Sequence, residues 1–185
     1  MQAINDISER HAEVIGLKVR RVTEPAAIET VSRLAGDIWR DHYKPIIGER
    51  QVEYMLNRFQ SPDAISKQIA VGYQYFLLFC NARPSGYFAW LADTEDQSLH
   101  ISKLYIDKPQ QRSGLGRRII SVAEQHCRTQ NFRYIWLTVN RHNQFAVDFY
   151  LRNGFVNSGA VVQDIGDGFV MDDYRMVKVL SVAEQ

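Results

Sequence analysis

Hydrophobic and polar positions change rhythm several times along the chain. Residues 17–22, Leu-Lys-Val-Arg-Arg-Val, alternate and predict a first strand. Beyond them Ile28, Val31, Leu34, Ala35 and Ile38 recur at helical spacing. Thr23 stands where it can cap that helix, and Pro25 suits its first turn. The helix is expected to stop near His42, ahead of Pro45. Residues 49–59 predict a second helix with Val52, Met55, Leu56 and Phe59 on its apolar side. Ser61-Pro62-Asp63 breaks it and opens a shorter helical piece to about Val71. Residues 1–16 read as an extension, with a short helix over 6–15, ahead of a single domain at 17–181.

The rhythm then shortens to that of strands. Residues 73–80 are apolar and aromatic, Asn81-Ala82-Arg83 turns the chain, and residues 86–91 return. A polar turn over 93–98 leads into residues 99–106. Three strands joined by short polar turns predict an antiparallel meander. Helix, strand, helix and two last strands follow, at 119–127, 134–139, 143–153, 156–162 and 173–179. A long glycine-bearing loop is expected at 163–169. The pattern by itself predicts an α/β fold with a mixed sheet.

Composition narrows the function classes. With 185 residues, 45% apolar and 23% charged, the chain can bury a real core. A net charge of +1 gives no bulk attraction to nucleic acid or to a membrane surface. No apolar run approaches the roughly 20 residues of a membrane span, and the first residues lack the pattern of a secretory leader. Cys80 and Cys127 fall in apolar elements and read as buried free thiols of a reducing, cytoplasmic compartment. The five histidines are scattered, with no metal-ligand spacing.

The chemistry concentrates in Gln111-Arg112-Ser113-Gly114-Leu115-Gly116-Arg117-Arg118, between a predicted strand and a predicted helix. The first turn of a helix carries N–H groups without intrahelical partners and the positive end of the helix dipole, so it binds phosphate well. Bare Gly114 and Gly116 would let phosphate reach the backbone, and Arg112, Arg117 and Arg118 add charge. No Gly-Lys-Ser/Thr follows, and no Gly-x-Gly-x-x-Gly is present, so neither the P-loop nor the dinucleotide fingerprint applies.

Two motifs in order, Gln-x-x-Gly-x-Gly at 111–116 and Asn-x-x-Ala-x-x-Phe-Tyr-x-x-x-Gly-Phe at 143–155, resemble the GNAT superfamily of N-acetyltransferases. The resemblance is clear over 99–155 and extends by element order over 17–180. Leu-Tyr-Ile, Gly-Leu-Gly and Ile-Trp-Leu bring it nearest to PaiA-like polyamine acetyltransferases. It implies a mixed, mostly antiparallel sheet with flanking helices and splayed central strands. It also implies acetyl-CoA as cofactor, with the backbone of Leu104, Tyr105 and Ile106 pairing with the pantetheine arm. Gln111 would belong to the cofactor site, and the N–H groups from Arg112, Ser113, Gly114, Leu115, Gly116 and Arg117 would hold the pyrophosphate. Asn143 would contact the cofactor arm, and Tyr150 would protonate the departing thiolate. The GNAT base position falls on His100, where many relatives carry glutamate.

Each of these residues has a plainer reading too. Asn143 suits a helix N-cap, Tyr150 a core tyrosine, and His100 a strand residue while water takes the proton. Alternation would set His100, Ser102 and Leu104 on one face. Residues 39–45, 93–98 and 163–171 are the expected acceptor walls. Asp93, Glu95, Asp96, Asp164 and Asp167 would draw a cationic amine there or be solvated loop carboxylates. The function expected is N-acetyl transfer by direct attack of a primary amine, a polyamine or other small amine. Acetylation of a protein N-terminus or lysine, and a non-catalytic CoA-binding module, are the alternatives. No nucleic-acid or membrane partner is expected, and the chain would act as a monomer or homodimer.

Overall fold

Two strands in mid-chain are apolar on both sides, and that places them at the centre of the molecule. They are β2 (Gln74–Cys80) and β3 (Arg83–Asp93). The computed structural model describes residues 17–180, so the helix expected over 6–15 lies outside the described residues. Phe76, Leu78, Phe88 and Trp90 point into one core layer with Leu99, Ile119, Ile120 and Ile135. Tyr75, Leu77, Tyr87 and Ala89 point into a second layer with Val31, Ala35, Trp39, Val52 and Ile65. A strand covered on both faces reads as a continuous apolar run instead of an alternation.

The remaining strands are β1 (Leu17–Arg21), β4 (Ser98–Ile106), β5 (Tyr134–Asn140), β6 (Val156–Gly166) and β7 (Phe169–Val179). Together the described residues form one seven-stranded sheet in the order β1-β2-β3-β4-β5-β7-β6. All its pairings are antiparallel except β4 with β5. Helices α1 (Pro25–Ile47), α2 (Glu49–Met55) and α3 (Pro62–Ala70) cover one face. Helices α4 (Leu115–Gln130) and α5 (Gln144–Arg152) cover the other. Cys80 and Cys127 are buried free thiols, the second pushed up to about 12 by burial.

Several elements differ from the sequence expectation, each for a local reason. Helix α1 passes through Pro45 to Ile47 instead of ending near His42. Pro45 sits in the last turn, where its missing N–H removes a single bond to the preceding turn. Tyr43 and Ile47 meanwhile pack against the core. Thr23 does not cap: Glu24 holds the N-cap position without a side-chain bond, and its carbonyl accepts from Ala27 and Ile28 at 3.0 and 3.1 Å. The second helix turns into a single π-helical turn at Leu56–Gln60. That turn carries Gln60 inward, where its side-chain carbonyl accepts from the Tyr87 hydroxyl at 3.3 Å. Ser61 caps α3 as its type allows, its hydroxyl accepting from the Ala64 N–H at 3.3 Å.

The long loop expected at 163–169 is not a loop. Strands β6 and β7 continue to a two-residue turn at Asp167 and Gly168, with φ of 55° and 76°. Two positive φ values in succession make the tight hairpin turn that matches strand twist. The hairpin end rests on α2. The Gln51 amide donates to the Val170 carbonyl at 2.8 Å, and the Tyr54 hydroxyl donates to the Ile165 carbonyl.

What positions the site is the parting of β4 from β5. The two pair only over Ser98–His100 and Tyr134–Trp136. Beyond His100, β4 stays with β3 as far as Ile106, while β5 stays with β7 as far as Asn140. A β-bulge at Ser102 shifts the β3–β4 register, so Ala89 faces Lys103 while Trp90 faces Ile101. The bulge corrects the expected alternation. Leu104 and Ile106 join Leu99 and Ile101 on the α4–α5 side, and Tyr105 falls on the α1–α3 side with His100.

Gly86 lies opposite Ile106, and a Cβ there would meet the Tyr105 carbonyl oxygen at 2.6 Å and the Ile106 Cα at 3.2 Å. Backbone cannot yield as a side chain does, so Gly86→Ala should cost about 1–3 kcal/mol, the range of overpacking. Thermal unfolding should fall by roughly 2–4 °C per kcal/mol for a chain of this size. A melting temperature unchanged in calorimetry would mean that β3 and β4 separate there without penalty.

Candidate active site

A cleft of about 1390 Å³ opens where β4 and β5 part, and it crosses the sheet from one helical layer to the other. At one end lies the loop into α4. Gly114 holds the N-cap position with φ 85°, in the left-handed region, and Arg112 is also left-handed at 61°. These two residues turn the chain so that successive N–H groups face outward. From Arg112 to Arg117 no backbone N–H has a hydrogen-bond partner among the described residues. Six free donors beside a helix dipole fit a polyphosphate, and they are what this structure offers to a nucleotide-bearing cofactor.

Side chains around the loop have separate roles. Gln111 reaches back to donate to the Ile106 carbonyl at 3.2 Å, which ties the loop to the end of β4. The Ser113 hydroxyl donates to the Gln110 carbonyl at 2.6 Å. Leu115 is buried in the core. Arg112 lies over the Phe145 ring at 6.0 Å. Gly116 has a different reason to be bare than the one expected. A Cβ there would meet the Phe149 ring at 2.9 Å, so it is α5 packing, not phosphate approach, that excludes a side chain.

Mid-cleft, Asn143 caps α5, its side-chain carbonyl accepting from the Ala146 N–H at 3.3 Å. Its amide nitrogen lies 2.9 Å from His42 Nε2 and 3.4 Å from the Tyr43 hydroxyl. Two turns on, Tyr150 also lines the cleft; it is 7% exposed, with its ring against Phe149 and Phe155. Burial, and then Tyr43, push its hydroxyl above the ordinary tyrosine value. Leu104, Tyr105 and Ile106 form the neighbouring wall, with Tyr105 packed among Trp39, Tyr43 and Tyr87.

The far end carries His100, which the sequence marked, among Lys103, Trp136, Asp173 and Arg175, which it did not. His100 stacks on Trp136, ring centroids 3.9 Å apart and planes 8° from parallel. The Arg175 guanidinium lies over the Trp136 ring at 4.9 Å. Burial, then the charges of Lys103 and Arg175, hold the His100 imidazole down at about 4. Burial also lowers the Lys103 ammonium, to about 8. Asp173, two residues before Arg175 on β7, is buried and raised to about 6 by desolvation, with the Thr138 hydroxyl opposing. The alternation of Trp136, Thr138 and Asn140 along β5 was the one sequence signal for this wall; the register then sets Arg175 opposite Thr138 and Asp173 opposite Asn140.

The acidic loop residues do not reach the cleft. Asp93 accepts from the N–H groups of Glu95 and Asp96 within its own turn, and Asp96 accepts from the Tyr134 hydroxyl. Asp164 accepts from the Gly166 N–H, and Asp167 lies 4.0 Å from Arg50. Of the expected walls, Trp39, His42, Tyr43, Gln163 and Met171 line the cleft, and residues 93–98 do not. Among the described residues no cluster of histidine, cysteine, aspartate or glutamate could hold a metal ion, and no helix is long and apolar enough to cross a membrane.

Residues 43–178 match the model of the acetyltransferase (GNAT) domain. An uncharacterised N-acetyltransferase of Lactobacillus delbrueckii subsp. lactis is 24% identical over 82% of this chain and 91% of its own. Among solved structures, the PaiA N-acetyltransferase from Thermoplasma acidophilum in complex with coenzyme A superposes with a TM-score of 0.71. It is 19% identical, over 89% of this chain and 99% of that one. The spermidine/spermine N-acetyltransferase SpeG from Vibrio cholerae, in mutant forms, gives a TM-score of 0.63 at 19% identity, over 88% and 93% of the two chains. With the family model spanning strands β2 to β7 and the cleft between β4 and β5, the chain belongs to the GNAT acetyltransferase family.

Proposed function

We propose that this chain, through one domain at about residues 17–181, transfers an acetyl group from acetyl-CoA to a small primary amine, with the amine attacking the thioester directly. One arrangement carries the reading: six free N–H groups at the mouth of a cleft whose middle is lined by the hydroxyl-bearing Tyr150. Acetyl-CoA, when bound, supplies the activated acetyl group and a thiolate leaving group. The N–H groups from Arg112 to Arg117 hold its phosphates, and Arg112 and Arg117 add charge. The edge of β4 at Leu104, Tyr105 and Ile106, which β5 has left, offers strand-type hydrogen bonds to the extended arm. Gln111 and Asn143 act by position, the first fixing the loop and the second capping α5 ahead of Tyr150. Solved neighbours named as spermidine/spermine N-acetyltransferases support a small amine as acceptor.

Proton traffic has two ends. Tyr150, raised by burial, keeps its proton through the neutral range and can give it to the departing sulfur. Attack needs a neutral amine. Asp173, at about 6, is ionised at neutral pH and is the stronger base of the two groups able to take the ammonium proton. His100, at about 4, is the weaker, and its flat stack on Trp136 suits it to shaping the wall. The deciding experiment is thiol release from acetyl-CoA across polyamines, aminoglycosides, amino acids and peptides. Acetyl-CoA binding without release on any amine would make the chain a CoA-binding module.

Three outcomes are expected of variants. Gly114→Ala places a Cβ on a left-handed backbone at the phosphate end, in open space. Calorimetric titration should give acetyl-CoA affinity at least tenfold weaker, about 1.4 kcal/mol; an unchanged affinity would remove the phosphate assignment. Tyr150→Phe should lower kcat by about 10- to 1000-fold, overlapping the range of lost general-acid help, while acetyl-CoA affinity holds. Parental kcat would mean another proton donor. The third is a pH–rate profile. With Asp173 as base the parent rises with pH through about 6, as the carboxylate forms. Asp173→Asn loses that rise and most of the rate. His100→Ala scales the profile without moving it, since His100 is already neutral from about pH 5 upward. A limb displaced by His100→Ala and kept by Asp173→Asn would reverse the two roles.

A further inference from the structure

The acceptor end of the cleft has a charge pattern opposite to the one a polycation needs. Its titratable side chains on the α1–α3 side are His42, Tyr43, Tyr73, His100, Lys103, Tyr105, Asp173 and Arg175. Lys103 and Arg175 make no ion pair with any carboxylate within 4.0 Å among the described residues. Lys103 is half-buried, and its ammonium donates only to the neighbouring Ser102 hydroxyl, at 2.7 Å. Arg175 lies over Trp136, whose ring also carries His100. Two unpaired cations beside an aromatic wall leave guanidinium and ammonium donors facing the cavity, the donor set that reads an oxyanion. The acidic loops that would have drawn a polyamine are occupied elsewhere.

We infer that the acceptor is a small amine that also bears a carboxylate, held by Lys103 and Arg175 while its amino group lies toward Asp173. The inference rests on the acetyl-transfer reading above and narrows its acceptor. Strand geometry fits it. Asp173 and Arg175 are two residues apart on one face of β7, about 6.6 Å along the strand. A zwitterion meets an opposite charge at each end there, whereas a polyamine meets two like charges and one unlike. Lys103 keeps its proton at neutral pH, since burial lowers it only to about 8. The reaction balances as amide formation: the ammonium gives one proton to Asp173, the neutral nitrogen bonds to the acetyl carbon, the C–S bond breaks, the thiolate takes a proton from Tyr150, and the second proton leaving the nitrogen restores the Tyr150 hydroxyl.

The test is thiol release with the twenty amino acids, their α-amides and spermidine, on the parent, Lys103→Met and Arg175→Ala. The expected result is an acid whose KM is at least tenfold below that of its amide. Each variant should raise that KM ten- to a hundredfold and change the KM of the amide less than threefold. Calorimetric titration of the same acid into the CoA-loaded protein should lose its heat in Lys103→Met, a readout that needs no turnover. Spermidine or the amides turning over as well as the acids would overturn the carboxylate assignment and leave acetyl transfer standing. No release on any amine, with acetyl-CoA bound, would overturn both. Lys103→Met removes a partly desolvated charge and keeps the stem length, so loss of the fold is not expected to mask the result.

Discussion

Everything in the active site depends on two parallel strands that pair for three residues and then part. Strand β4 is held on its other side by β3, and β5 by β7, so each is fixed while the ladder between them stops at His100 and Trp136. An open ladder inside a sheet leaves backbone groups without partners, which a buried sheet does not tolerate unless something else takes them. A ligand of extended shape meets that demand, and the same gap lets chemistry reach both faces of the sheet. The stack of His100 on Trp136 closes the last paired step, and the bulge at Ser102 sets the side chains beyond it.

The two faces of the gap are built by different helices and serve different ends. On the α4–α5 face, a left-handed Gly114 and free N–H groups open α4, and Asn143 and Tyr150 follow along α5. On the α1–α3 face, the walls come from α1, α2 and the end of the β6–β7 hairpin, drawn onto α2 by Gln51 and Tyr54. Tyr43 joins the halves, reaching Asn143 on one side and packing near Tyr105 on the other. The cofactor half follows backbone geometry, which many sequences can satisfy. The proposed acceptor half would follow side-chain charge.

That division explains why neighbours at 15–20% identity share the fold and need not share an acceptor. A phosphate site made of N–H groups constrains only φ, ψ and a glycine. The acceptor site proposed at Lys103, Asp173 and Arg175 would change with any of the three.

The sequence by itself determined the order of elements, the meander, the glycine-bearing turn into α4 and the position of Tyr150 on α5, because each rests on short-range pattern. Periodicity tells strand from helix, and a glycine-bearing turn before a helix is local chemistry. Where it went astray, the deciding contacts were distant. Pro45 stays inside α1 because Tyr43 and Ile47 are anchored in the core. The expected loop at 163–169 is strand because α2 supports the hairpin. Gly116 is bare for the sake of Phe149, thirty-three residues on. Ser102 sits in a bulge that no alternation reveals, so the face of Leu104 was inverted. The charge of the acceptor end was the largest such gap. Lys103, Asp173 and Arg175 come from strands far apart in the chain, and only the register of β5 with β7 and the bulge in β4 bring them to one face.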